Sequence, residues 1–245
     1  PRAIGRPLRD DVAPELGTDA AGRAVLAGWR GTPGATSLWL LDLRSGAERS
    51  VPAAIDPRLR VLAVTVFAGR LVYATTSGRH AASSLWQLEP GSAVPRRLAR
   101  HRGQIGELDS GRLGVAYVVS EPADSTTETI RLWRPKHPEQ TVDRGGGGVM
   151  EGSYDVGSPS FAGDRLLWLG ANDYDDTSDL FRLDLRTGRR TQVPLHRITV
   201  HAIAADDARP AAAPVVTYDH GGYDDGSLHD PITAALACRR CWRRR

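Results

Sequence analysis

Cysteine is nearly absent from this 245-residue chain, which has Cys238 and Cys241 and no other. One C-x-x-C pair supplies half of a structural zinc site. A redox pair needs a helix opening after a strand in a βαβ setting, and no such setting surrounds these two. With no cysteine elsewhere, the redox compartment stays open. Lysine is rarer still: Lys136 stands alone among 32 basic residues, and the rest are arginine. The codon usage of a G+C-rich genome accounts for that bias. No apolar run approaches the roughly 18 residues of a membrane-spanning helix. The chain starts at Pro1 and shows no signal peptide. It also lacks any amphipathic helical pattern of useful length. Missing too are a G-x-S-x-G elbow, a P-loop, an H-E-x-x-H pair and a dinucleotide fingerprint.

The charge balance looks basic, with a net +3 and a pI near 9.2. That excess sits in one place: Arg239–Arg245 holds five of the 32 basic residues, which leaves 27 against 29 acidic ones elsewhere. A nucleic-acid binder carries a basic stripe on its folded body. None is visible in the sequence, so no nucleic-acid partner is expected.

What the chain has in quantity is turns and repeats. Glycine and proline number 26 and 16, which favours short strands and hairpins. Four segments resemble one another: "SLWLLDLRSGAERSVP" from Ser37, "SLWQLEPGSAVPRRLA" from Ser84, "TIRLWRPKHPEQTVD" from Thr129 and "DLFRLDLRTGRRTQVP" from Asp179. Each reads as strand, turn, strand. Alternation aligns Trp39, Trp86, Ile130 and Phe181, with Trp133 left out. From these to Val51, Leu98, Val142 and Val193 the interval is 12 residues each time. Upstream, Tyr73, Tyr117 and Trp168 stand 13 residues before Trp86, Ile130 and Phe181. Gly22, Gly69, Gly111 and Gly163 precede the apolar runs and are expected in tight hairpin turns.

The repeat is about 47 residues of four strands, the signature of an antiparallel β-propeller blade. The expected fold is therefore all-β, a propeller with blades near 22–52, 60–99, 104–143, 157–194 and 200–230. The propeller spans 1–230, and an Arg-rich tail over 231–245 is expected to be disordered or non-native. Six such blades need roughly 280 residues. The chain is thus expected to be a piece of a six-bladed or larger ring, incomplete as it stands.

Candidate chemistry is sparse. In "NDYDDTSD" (172–179), Asp173, Asp175, Thr177 and Asp179 alternate as oxygen ligands for Ca²⁺ would. Asp173, Asp175 and Asp179 are the candidate calcium ligands, although Ser178 stands where an EF-hand loop needs glycine. The alternative is an acidic hairpin loop that keeps the surface soluble. No other cofactor is expected. The seven histidines show no ligand pair on one element. Gly145–Gly148 lacks the Lys and Ser/Thr of a phosphate cradle and reads as a connection between the third and fourth blades. Trp39, Trp86 and Phe181 alternate onto a buried face, so they read as core and not as a sugar-stacking surface.

Within this pattern, "GDRLLWLGANDYDDTSDLFRLDLRTGRRTQV" (163–193) resembles one blade of the TolB-like propellers. Asp179, Leu180, Phe181, Asp184, Gly188, Arg190 and Val193 fit that family's blade motif. Leu38, Trp39, Asp42, Gly46 and Arg49 fit it in the first blade. The third blade departs from it at Arg134-Pro135. "PELGTDAAGR" (14–23) is similar to the first blade of secreted propellers from high-G+C bacteria. The resemblance implies a propeller that works outside the cytoplasm. By analogy of fold, the expected function is a non-catalytic scaffold that binds a protein or envelope component through loops 74–84, 118–128 and 169–179, which lie at equivalent places and differ in sequence. The alternative is the propeller portion of an enzyme: a prolyl-oligopeptidase-like hydrolase, or a lyase or glycosidase working at the pore.

Overall fold

Nineteen strands and no helix make up the described part of the computed structural model. It describes residues 14–32, 34–78, 82–121, 127–146, 154–172, 177–195, 199–204, 215–219 and 232–235. The first sheet holds β1 (Glu15–Thr18), β2 (Ala24–Arg30), β3 (Ser37–Asp42) and β4 (Glu48–Val51). The second holds β5 (Arg60–Phe67), β6 (Arg70–Thr76), β7 (Ser83–Leu88) and β8 (Arg96–His101). The third holds β9 (Gln104–Gly111), β10 (Gly114–Ser120), β11 (Glu128–Trp133) and β12 (Gln140–Arg144). The fourth holds β13 (Tyr154–Ala162), β14 (Arg165–Asn172), β15 (Thr177–Asp184) and β16 (Arg190–Leu195). A three-stranded sheet follows, with β17 (Thr199–Ala204), β18 (Val215–Asp219) and β19 (Ile232–Ala235). The last of these lies inside the segment read from sequence as a tail.

Every sheet is a meander in chain order, and its strands pair antiparallel. Four four-stranded sheets of this kind are propeller blades. The repeat arises because a blade has two apolar faces and can cover neither alone. The chain divides into two compact units, Pro1–Ser110 and Gly111–Arg245. In the first, Val25, Ala27, Leu38 and Leu40 pack against Val61, Val64, Val66, Leu71, Tyr73 and Leu88 of the second sheet. In the second, Ala116, Val118, Ile130 and Leu132 pack against Val156, Phe161, Leu166, Trp168, Phe181 and Leu183.

The hairpin turns follow the sequence reading in part. Ala68 and Gly69 both take positive φ, at 48° and 78°, the two-residue turn that matches strand twist. Gly22 and Gly163 are left-handed as expected. Gly111 is not a turn residue: it ends β9, and Arg112 and Leu113 make the turn. Its glycine is needed for another reason. A Cβ there would lie 2.5 Å from the Phe161 ring.

The third blade corrects the strand alignment. Tyr73 faces Trp86 and Trp168 faces Phe181, but Tyr117 faces Arg131. Ile130 faces Val118. Arg131 therefore holds the place taken by an aromatic in the second and fourth blades. Alternation misled because both faces are covered: Thr129, Ile130 and Leu132 are all buried. A strand buried on both sides carries no in–out pattern.

Candidate functional site

Two places on the described chain gather side chains that could do chemistry. The first is the inner edge of the first unit, where the opening strands of three sheets meet. Gly17 of β1 leaves no room for a Cβ against Val66 of β5, 2.8 Å away. Ser110 of β9 donates through Oγ to the Val66 carbonyl at 2.7 Å, and its Oγ lies 2.9 Å from Thr65 Oγ1. These contacts set β1 and β9 on either side of β5.

That arrangement brings carboxylates together. Glu15 on β1 is half-buried, and Asp109 and Glu107 on β9 act on it. Burial pushes the Glu15 carboxyl up to about 8, and the negative charges of Asp109 and then Glu107 push the same way. Glu15 thus keeps its proton at neutral pH, so it can donate a hydrogen bond or release a proton. Asp109 is fixed from its own strand, accepting from the Ser110 amide at 2.8 Å. The three do not form a metal shell: among the described residues, no group of three or more His, Cys, Asp or Glu could hold a metal ion. Sequence reading missed all three, because Glu15 lies before the expected start of the first blade. The available signal was an acid on the short apolar stretch that opens a blade.

The second place is an interlock in the second unit. Trp168 and Phe181 stack with centroids 5.4 Å apart and planes 14° apart. Arg190 lies over both rings, at 5.1 and 4.5 Å. Asp143 of β12 accepts two hydrogen bonds from Arg190, at 3.1 and 2.8 Å, and one from Trp168 Nε1 at 2.7 Å. One carboxylate thereby ties the outer strand of the third sheet to two strands of the fourth, β14 and β16. Arginine-over-ring contacts recur at Arg30 on Trp39 and Arg97 on Trp86, at 4.8 and 5.8 Å. A second tie lies at the hairpin end, where Asp164 pairs with both Arg112 and Arg186. These groups are structural. Asp143→Ala is expected to cost about 2–3 kcal/mol, since it strands a buried indole N–H and a cation at once. Urea unfolding measures it, and a loss below about 0.5 kcal/mol would show that water replaces the carboxylate.

The expected calcium ligands fall largely elsewhere. Asp173 and Asp175 lie outside the described residues. Asp179 lies on β15, and its Oδ2 accepts from Gln192 Nε2 at 2.6 Å. Asp184 closes the next turn, accepting the amides of Arg186 and Thr187 at 3.0 and 2.9 Å. Asp42 does the same for Arg44 and Ser45, at 2.9 and 2.8 Å. These amide bonds hold both carboxyls below the usual aspartate range, and they explain the Asp-x-x-x-Gly of the repeat. Cys238, Cys241, Gly147 and Gly148 also lie outside the described residues. Among the described residues no helix is long and apolar enough to cross a membrane.

No protein-family profile matches the chain, and no sequence among curated proteins does. Solved structures do. The β-propeller domain of the Trilobed protease from Pyrococcus furiosus matches with a TM-score of 0.56 and 8% identity, over 94% of this chain and 70% of that one. Dipeptidyl peptidase 4 of Porphyromonas gingivalis matches at 0.51 and 16%, over 83% of this chain and 33% of that one. Oligogalacturonate lyase of Vibrio parahaemolyticus matches at 0.51 and 10%, over 88% and 60%. This chain spans about a third of the length of the dipeptidyl peptidase it matches. Identities this low speak to architecture only, and the architecture they share with the four meander sheets is that of a β-propeller.

Proposed function

We propose that this propeller is a non-catalytic scaffold of TolB-like kind that works outside the cytoplasm. On this reading it holds a protein or cell-envelope component on the loops between the second and third strands of its blades. One contrast carries the reading. At the opposite end the first two strands of the second, third and fourth sheets are joined by two-residue turns, at Ala68-Gly69, Arg112-Leu113 and Gly163-Asp164. The connections 31–36, 77–82 and 121–127 are longer and share no sequence pattern. A rigid framework with varied loops at one end is how such folds present binding groups.

The test replaces 77–82 and 121–127 with short Asn-Gly turns in the intact chain. Retention is then measured on a washed envelope fraction of the source cells. Unmodified protein is retained, and the short-loop protein loses retention at least about tenfold. Equal retention of the two would move the binding surface elsewhere. No retention of either would end the scaffold reading. Cell fractionation of the gene product tests export.

A second reading makes the chain the propeller portion of an enzyme, a hydrolase of prolyl-oligopeptidase type or a pore-site lyase or glycosidase. The proton held on Glu15 favours it, together with propeller-bearing peptidases and a lyase among the similar structures. Turnover of a prolyl peptide or a polyuronate by the gene product, lost in Glu15→Gln, would favour it over the scaffold.

A further inference from the structure

We propose that the outer edge of the second sheet, strand β8, docks an extended acidic peptide segment that adds to it as a fifth strand. The sequence reading placed no basic stripe on the body, yet β8 and its next residue gather Arg96, Arg97, Arg100 and Arg102, all exposed. Other outer strands carry paired charges. On β4, Glu48 pairs with Arg30. On β12, Asp143 pairs with Arg190 and Arg144 with Glu121. Among the described residues the four arginines at β8 have no carboxylate partner. Arg96 donates to Gln87 Oε1 at 2.7 Å and Arg97 lies over Trp86, so two of them are held in place while still charged.

The register puts these cations on both faces of the edge. Arg97 and Arg100 face Trp86 and Ser84, on one side. Arg96 faces Gln87, on the other. As the last strand of its sheet, β8 also presents unpaired backbone groups outward. Val94, 75% exposed, stands two residues before the strand as an apolar foothold. Like charges repel a second copy of β8 laid alongside, whereas an acidic strand meets an opposite charge on each face. Backbone pairing with flanking charge selection is the chemistry of strand addition.

The probe is a labelled peptide of alternating glutamate and valine, titrated into the intact chain at low salt and followed by fluorescence anisotropy. Comparators are the same peptide N-methylated at alternate amides, its lysine counterpart, and heparin. The acidic peptide is expected to bind and to weaken as salt rises. N-methylation, and the double change Arg97→Glu with Arg100→Glu, should each weaken it by at least about tenfold. Both arginines are exposed, and a thermal melt checks the fold. Arg100→Lys should retain most of the affinity. Three results would overturn the proposal. One is no binding of the acidic peptide. Another is equal binding of the N-methylated form or of heparin, which would mean a polyanion surface without strand pairing. The third is self-association of the charge-reversed protein with no peptide bound by the parent, which would make the arginines guards of the edge and no more.

Discussion

Trp168→Ala is expected to cost about 3–5 kcal/mol, the range for emptying a large aromatic site in a packed core. The indole is wholly buried. Its ring stacks on Phe181 and lies under the Arg190 guanidinium, and its N–H is spent on Asp143. Alanine removes all three contacts and leaves Asp143 one donor short. Trp168→Phe keeps the stack and loses the N–H, so it should recover more than half of the loss. Denaturant unfolding of the three proteins decides the matter. If Phe is no better than Ala, the hydrogen bond to Asp143 outweighs the packing. If neither variant loses more than about 1 kcal/mol, the interlock does not hold the blades.

Glu15→Gln is expected to stabilise the protein in alkali and to change little in acid. The folded-state carboxyl titrates at about 8 against an ordinary value of 4.5. Between these two values the folded state holds a proton that the unfolded state has released. Stability therefore falls as pH rises across that window and levels off above it. Glutamine removes the group that titrates. For a half-buried carboxyl the gap should reach on the order of 2–4 kcal/mol above pH 8, after discounting for water at the site. Melting temperature against pH for both proteins measures it. Parallel curves would mean that Glu15 is ionised in the folded state, and with that the enzyme reading would lose its favouring observation. Asp109→Asn should move the Glu15 transition toward acid, because it removes the larger of the two repelling charges.

The framework was legible because it repeats. Ser37–Asp42, Ser83–Leu88 and Thr177–Asp184 each announce a strand, then a turn set by aspartate or glycine, then a second strand. Equal intervals then align the blades. Alignment failed at Ile130, where Arg131 stands opposite Tyr117, because a sheet covered on both faces erases the in–out alternation. Gly111 was misassigned for a related reason. A glycine beside arginine can serve a turn or make room for a ring, and only the position of Phe161 separates the two. The meeting of the inner-strand carboxylates could not be read, since Glu15 and Asp109 come together through the stacking of sheets and not along the chain. The run of like charges on β8 was in plain sight as "RRLARHR", but its meaning depends on the register that sets them on both faces of an edge strand.

The meander order of the sheets bears on synthesis. Each strand pairs with the one made just before it, so every blade can close its hydrogen bonds while the next is still inside the ribosome. Closing them hides little oil. Val25, Ala27, Leu38 and Leu40 meet their cover on β5 and β6, which follow later in the chain. The growing end therefore always carries one finished but sticky sheet, sheltered by its successor and exposed by any pause. A pause that holds the second sheet inside the ribosome after the first has emerged should raise aggregation during translation, while a pause before the first sheet has emerged should not.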